Sequence, residues 1–174
     1  MIGITDAITN ALKVKKGDVV ADFGCGMGHH ARVIAPLVGK EGKVYALDIQ
    51  RSLLEHVEQE AQLGGLSITP MWADIDEERG STLHDRSVDA VIIVNTLFQC
   101  EKKQAVFVEA ARILKPAGKC LVIDWKDSFG GLGPHPDDVV TDAQARTLVQ
   151  GTGLREVGVV PAGAYSWGIL FEKQ

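Results

Sequence analysis

Residues 19–28, VVADFGCGMG, decide the fold. The run from Val19 to Phe23 is apolar except for Asp22, as expected of a strand buried on both faces. Glycines then follow at 24, 26 and 28, ahead of a helical pattern opened by His29 and His30. Glycines at such a turn permit positive φ and let a ligand approach the backbone closely. A strand that runs through a glycine turn into a helix is the opening of a βαβ unit.

The next apolar run, residues 43–47, leads to Asp48, twenty positions beyond Gly28 (48 minus 28). An acidic residue there can accept hydrogen bonds from both hydroxyls of an adenosine ribose. The spacing departs from the dinucleotide fingerprint, which places its third glycine where His29 stands. Asp22, just before the glycines, attracts a ligand carrying ammonium or sulfonium charge and repels a pyrophosphate. Those two features favour S-adenosylmethionine over a nicotinamide dinucleotide.

Further out, apolar runs recur at 67–72, 88–94 and 119–123, and helical patterns lie at 29–38, 51–62 and 102–114. The runs are continuous rather than alternating, so they read as strands buried on both faces. Alternation of strand and helix implies parallel βαβ units with right-handed crossovers. A Gly/Pro-rich loop, DWKDSFGGLGPHPDD, precedes a helix over 141–151 with Thr141 as N-cap. The runs 154–160 and 165–172 are joined by Pro161-Ala162-Gly163-Ala164, too short for a crossover helix, so they form an antiparallel hairpin.

The 174 residues, 45% hydrophobic and 24% charged, suit a single domain spanning 1–174 without repeat or linker. A net charge of -5 with scattered basic residues disfavours nucleic acid. No apolar run approaches the roughly 18 to 20 residues of a membrane span, and no secretory signal is visible. Cys25, Cys100 and Cys120 are too widely spaced for a disulfide framework or a Cys-x-x-Cys metal site, which fits a reducing cytoplasm. No metal is expected, because adjacent His29 and His30 do not share a helix face.

The stretches VADFGCGMGHHARVIAPLVGKEGKVYALDI, MWADIDE, VDAVIIVNTLFQ and ARILKPAGKCLVIDW, with the terminal hairpin, span nearly the whole chain. In order and spacing they resemble a class I S-adenosylmethionine-dependent methyltransferase, similar to the ubiquinone/menaquinone-biosynthesis group. The resemblance implies an α/β fold, a doubly wound, mostly parallel seven-stranded Rossmann-like sheet ending in an antiparallel hairpin. It also implies methyl transfer from S-adenosylmethionine to a small-molecule acceptor. By position it assigns Gly24, Cys25 and Gly26 to the methionine part and Asp48 and Ile49 to ribose and adenine, with Asp22 and Gly28 also among the cofactor-binding residues. Ala73, Asp74 and Ile75 fall at the adenine edge, and Asn95 and Thr96 near the sulfonium.

Weighed by residue type alone, Asp74 could cap a turn and Asn95 could tie down a loop. If the acceptor needs a base, His135 and Asp127 are the candidates, with Tyr165 placed to reach an acceptor. Only about sixteen residues precede the first strand, so the cap is short. A short cap implies a substrate larger than a metabolite, a partner or homodimer mate that completes the lid, or closure by the loop carrying Gly130, Gly131 and Gly133. Two other readings predict different ligands: a noncatalytic S-adenosylmethionine-binding partner subunit, and a nicotinamide-dependent oxidoreductase.

Overall fold

The computed structural model describes residues 3–174. Strands β1 (Val19–Phe23), β2 (Lys43–Asp48), β3 (Ile68–Trp72), β4 (Val88–Val94), β5 (Leu114–Trp125), β6 (Leu154–Val159) and β7 (Ser166–Lys173) form one sheet. Their order is β3-β2-β1-β4-β5-β7-β6. The ladders from β3 to β5 are parallel, and β7 runs antiparallel to both β5 and β6. The terminal hairpin therefore forms as expected and inserts its second strand beside β5.

Helices α1 (Ile4–Leu12), α2 (His29–Val38) and α3 (Arg51–Gly64) cover one face; α4 (Lys103–Ile113) and α5 (Asp142–Leu148) cover the other. Successive side chains of a strand point to opposite faces. In β1 this sends Val20 to the first core, with Ile34, Val38 and Leu54, and sends Ala21 and Phe23 to the second, with Phe107 and Ile113. Asp22 shares the face of Val20, beneath α2. In α3 the buried Leu54, Val57 and Ala61 recur at helical spacing, which fixes the face that docks.

Several boundaries differ from expectation. β5 begins directly after α4, because Leu114 pairs with Val88 before a register shift and the ladder resumes at Ala90 and Lys119. β3 is only partly buried, since it is an outer strand with one neighbour, and β6 after its buried Leu154 alternates exposed and partly buried positions for the same reason. α5 is shorter than 141–151, ending ahead of Gly151 and Gly153, whose φ values are 77° and 86°. Its N-cap is Thr141, whose hydroxyl accepts from the Gln144 amide while the Gln144 side chain accepts from the Thr141 amide.

Chain order reverses between β1 and β4: connections from β1 run outward to β2 and β3, and the later ones run the other way. Ligands of open α/β sheets bind at the carboxyl ends of the strands at that switch point.

Candidate cofactor site

The turn after β1 is built from backbone. The amides of Gly24 and Cys25 both donate to the Leu47 carbonyl at 2.9 Å, folding the turn onto the end of β2. Gly24 has φ 71°, and a Cβ placed there would meet the Thr96 side chain at 2.5 Å. Only glycine fits between β1 and the turn after β4. Gly26, with φ 53°, faces the opposite situation: a Cβ there would meet nothing within 4 Å, so its backbone borders open space.

Asp48 ties this turn to α3. Its Oδ2 accepts from the Gly26 amide at 2.9 Å and its Oδ1 from the Gln50 amide at 2.9 Å. A carboxylate offers about four acceptor positions, so two amides leave room for two ligand hydroxyls. Asp22 lies deeper, 1% exposed, and its Oδ2 has no partner among the described residues. Burial pushes its carboxyl up to about 7, against a hydrogen bond from the Ala31 backbone, with the nearby Asp48 charge adding to the rise.

The turn after β4 completes the floor. Thr96 donates its hydroxyl to the carbonyls of Phe23, 3.2 Å, and Val94, 3.0 Å. The next residue, Leu97, donates its amide to Asp124 Oδ2 at 3.0 Å. Asp124 is fully buried at the end of β5, and burial raises its carboxyl to about 6.

A third link closes the outer wall. Asp76 Oδ2 accepts from the amides of Glu101, 2.8 Å, and Lys102, 3.2 Å, at the start of α4, and the Lys102 ammonium pairs with Glu77. The Asp74 carboxyl is raised first by its hydrogen bond with Asp76 and then by burial. Burial alone would raise Asp76, but the bonds from Asp74 and the two amides outweigh it and hold that carboxyl low.

These parts enclose a cavity of about 430 Å³. Of the residues singled out in the sequence, Gly24, Gly26, Asp48, Ile49, Ala73, Asp74, Ile75 and Thr96 line it. Asp22 and Cys25 sit beneath the turn, buried; Gly28 serves as the N-cap of α2; Asn95, at φ 52°, lies behind Thr96 with Oδ1 unpartnered among the described residues. The sequence reading missed Gln50, Leu53, Asp76, Glu77, Gln99, Cys100, Glu101 and Lys102. Leu53 was legible from helix phase, standing two positions into α3 beyond Asp48. The others depend on how two loops fold over one another.

His135, Asp127 and Tyr165 stand elsewhere. His135 Nδ1 accepts from the Asp137 amide at 3.4 Å, Asp127 Oδ1 from the Ser128 amide at 2.6 Å, and the Tyr165 ring packs edge-on against Phe129 at 4.9 Å. None of the three lines the cavity behind the glycine turn.

The orphan carboxylate and the acid-rich wall fit a cationic adenosyl ligand. Residues 20–118 match the family described as methyltransferase domain. The chain is 32% identical over 124 residues to a ubiquinone/menaquinone biosynthesis C-methyltransferase of Chromobacterium violaceum, covering 71% of this chain and 50% of that protein. It is 31% identical over 117 residues to a demethylmenaquinone methyltransferase of Lactobacillus johnsonii, covering 65% and 46%. The chain thus spans about half the length of the curated relatives it matches. A crystal structure of an S-adenosylmethionine-dependent methyltransferase from Aquifex aeolicus superposes with a TM-score of 0.87 at 24% identity, covering 98% of this chain and 89% of that one.

Proposed function

This chain belongs to the methyltransferase-domain family, and from that premise we propose that it transfers a methyl group from S-adenosylmethionine to a small-molecule acceptor, acting as a single domain. The observation that carries the reading is Asp22: a buried carboxylate with an unpartnered oxygen under a glycine turn suits an ammonium or sulfonium group and opposes a pyrophosphate.

S-adenosylmethionine, when bound, supplies a methyl carbon already activated by a positive sulfur. Asp48 would accept from the ribose hydroxyls with its remaining lone pairs, and Gly26 would leave its backbone open to the methionine part. Ala73, Asp74 and Ile75 would border the adenine and Thr96 the sulfonium, with Asn95 behind it. Catalysis in this reading is chiefly positioning, which contributes about 7 to 11 kcal/mol in favourable cases. We assign no general base. The relatives' names point to a ring carbon of a quinone-type acceptor as the class to screen first.

Among the described residues no helix is long and apolar enough to cross a membrane; a cytoplasmic location is part of the proposal, resting on three free cysteines. Because α1 packs on the sheet rather than over the cavity, closure falls to the loop of residues 126–140 or to a partner copy. Sedimentation with and without cofactor separates these.

The test is calorimetric titration with S-adenosylmethionine, S-adenosylhomocysteine and NAD. Both adenosyl ligands are expected to bind and NAD to fail. Asp48→Ala is expected to weaken binding roughly 100-fold, because two charge-assisted hydrogen bonds at about 1.5 kcal/mol each are lost. Binding of NAD in place of the adenosyl ligands overturns the reading.

A further inference from the structure

A second cavity, of about 590 Å³, lies on the same carboxyl edge of the sheet, over β5, β7 and β6. We propose that it is the acceptor subsite, and that it takes a small apolar molecule bearing an anionic oxygen, held by Lys126. The proposal rests on the methyltransferase reading above and adds to it a place and a chemical class for the acceptor.

Position is the first argument. The two cavities share no lining residue and open on the same carboxyl edge to either side of the end of β5. Asp124, at the end of β5, holds the amide of Leu97, next to the Thr96 that lines the first cavity; Lys126, two positions after Asp124, lines the second. Adjacent strands lie about 4.8 Å apart. The step from β4 to β7, two strands away, is therefore roughly 10 Å, within the length of a bicyclic molecule.

Lining chemistry is the second. Trp167, Ala162, Val160 and Pro161 make an apolar wall, and the Trp167 indole N–H is already spent on the Val140 carbonyl at 2.8 Å, so the ring presents no free donor. The volume falls within the roughly 300 to 1,000 Å³ of small-molecule sites.

Charge is the third. The first cavity is lined by Asp48, Asp74, Asp76, Glu77 and Glu101 against Lys102 alone, so it repels anions. In the second, Arg146 is neutralised by Asp142, 2.6 Å, and Glu156, 2.8 Å. Lys126 has no carboxylate within 4.0 Å among the described residues; its Nζ reaches only the Gly163 carbonyl at 3.4 Å. A cationic donor and an anionic acceptor are thereby sorted to neighbouring compartments.

The test uses 2-naphthoate as the apolar anion and 2-naphthylmethylamine as its cationic counterpart, each titrated calorimetrically alone and with saturating S-adenosylhomocysteine. The Trp167 indole resonance, assigned with Trp167→Phe, reports occupancy. Naphthoate is expected to bind at least fivefold more tightly than the amine and to shift the Trp167 resonance. Lys126→Met is expected to weaken naphthoate roughly fivefold, the effect of about 1 kcal/mol, with Lys126→Arg restoring it and S-adenosylhomocysteine affinity unmoved. Equal binding of the two probes, an unshifted Trp167 signal or an indifferent Lys126→Met overturns the proposal. If S-adenosylhomocysteine binds and naphthoate does not, the subsite fails while the methyltransferase reading stands. If S-adenosylhomocysteine fails to bind, that reading falls and the acceptor role falls with it, whatever naphthoate does.

Discussion

The two halves of the sheet's carboxyl edge are built by different means. Over β1, β2 and β4 the wall is backbone held by side-chain acceptors: Leu47 receives two amides, Asp48 receives one from each side, and Asp124 fixes the turn after β4. Over β5, β7 and β6 the wall is apolar side chain with the paired Arg146 and Asp142 and the ammonium of Lys126, which opens the long loop of residues 126–140. The first construction fixes geometry to the ångström and tolerates little change. The second fixes volume and charge and leaves composition free. A constant cofactor bound by the first and a variable acceptor bound by the second is the division of labour this contrast implies.

The contrast is broken most severely at Gly24. Replacement by Val places a side chain against Thr96, where a Cβ already lies 2.5 Å away, and forces a branched residue to φ 71°. Loss of cofactor affinity by more than roughly 100-fold is expected, with destabilisation of about 3 kcal/mol from clash and strain together. Calorimetry and urea unfolding measure the two effects. Gly26→Ala, which meets no atom within 4 Å, is expected to fold far better and to lose affinity only. Should the two variants behave alike, the backbone-built description of this half is wrong.

This difference also sets what the sequence made legible. The strand, glycine turn and Asp48 were readable because they are local: apolar run, glycine spacing and the acid at the end of the next strand follow one another along the chain. The hairpin followed from connection length, while the strand order is seen only in the structure. Asp76 was not readable as a wall residue, since its partners Glu101 and Lys102 are 25 and 26 positions away. Nothing in the sequence near Lys126 shows that Trp167 and Arg146 will join it. Asp127, His135 and Tyr165 have the right chemistry for a base or an acceptor contact, but loop geometry directs them to local caps and an aromatic pair.

A pH titration sharpens the comparison at intermediate magnitude. Burial raises Asp22 to about 7. A carboxyl raised in the folded state contributes stability that is fully present below its unfolded value, 3.8, and is lost as pH rises through about 7. The ligand-free protein should therefore lose stability from this group between those limits, with Asp124, raised to about 6, acting in the same sense. A cationic cofactor favours the ionised form, so its affinity should rise roughly tenfold per pH unit below 7 and level off above it. Binding at pH 6 should release close to one proton, read from the buffer dependence of the calorimetric enthalpy. Asp22→Asn should abolish that release and flatten the stability profile near neutrality. Naphthoate binding in the second cavity, which no raised carboxyl lines, should show no such release.

The smallest expected effect lies at the seam of the first half, where side chains rather than strand geometry close the wall. Asp76 accepts both amides at the start of α4, where an anionic acceptor also meets the positive end of the helix dipole. Removing a helix-capping acceptor costs about 1 kcal/mol, so Asp76→Ala should loosen the junction of the two loops without unfolding the sheet. Cofactor dissociation is then expected to quicken roughly fivefold in stopped-flow chase, with global stability changed far less than in the glycine variant. Asp76→Asn keeps an oxygen acceptor for the amides but removes the charge that adjoins Asp74 and Lys102. An Asn variant resembling wild type makes the amide bonds the effective element; one resembling Ala makes it the charge. If neither variant alters dissociation, the outer wall is a passive surface, and the rigidity of the cofactor half ends at Asp48 and Thr96.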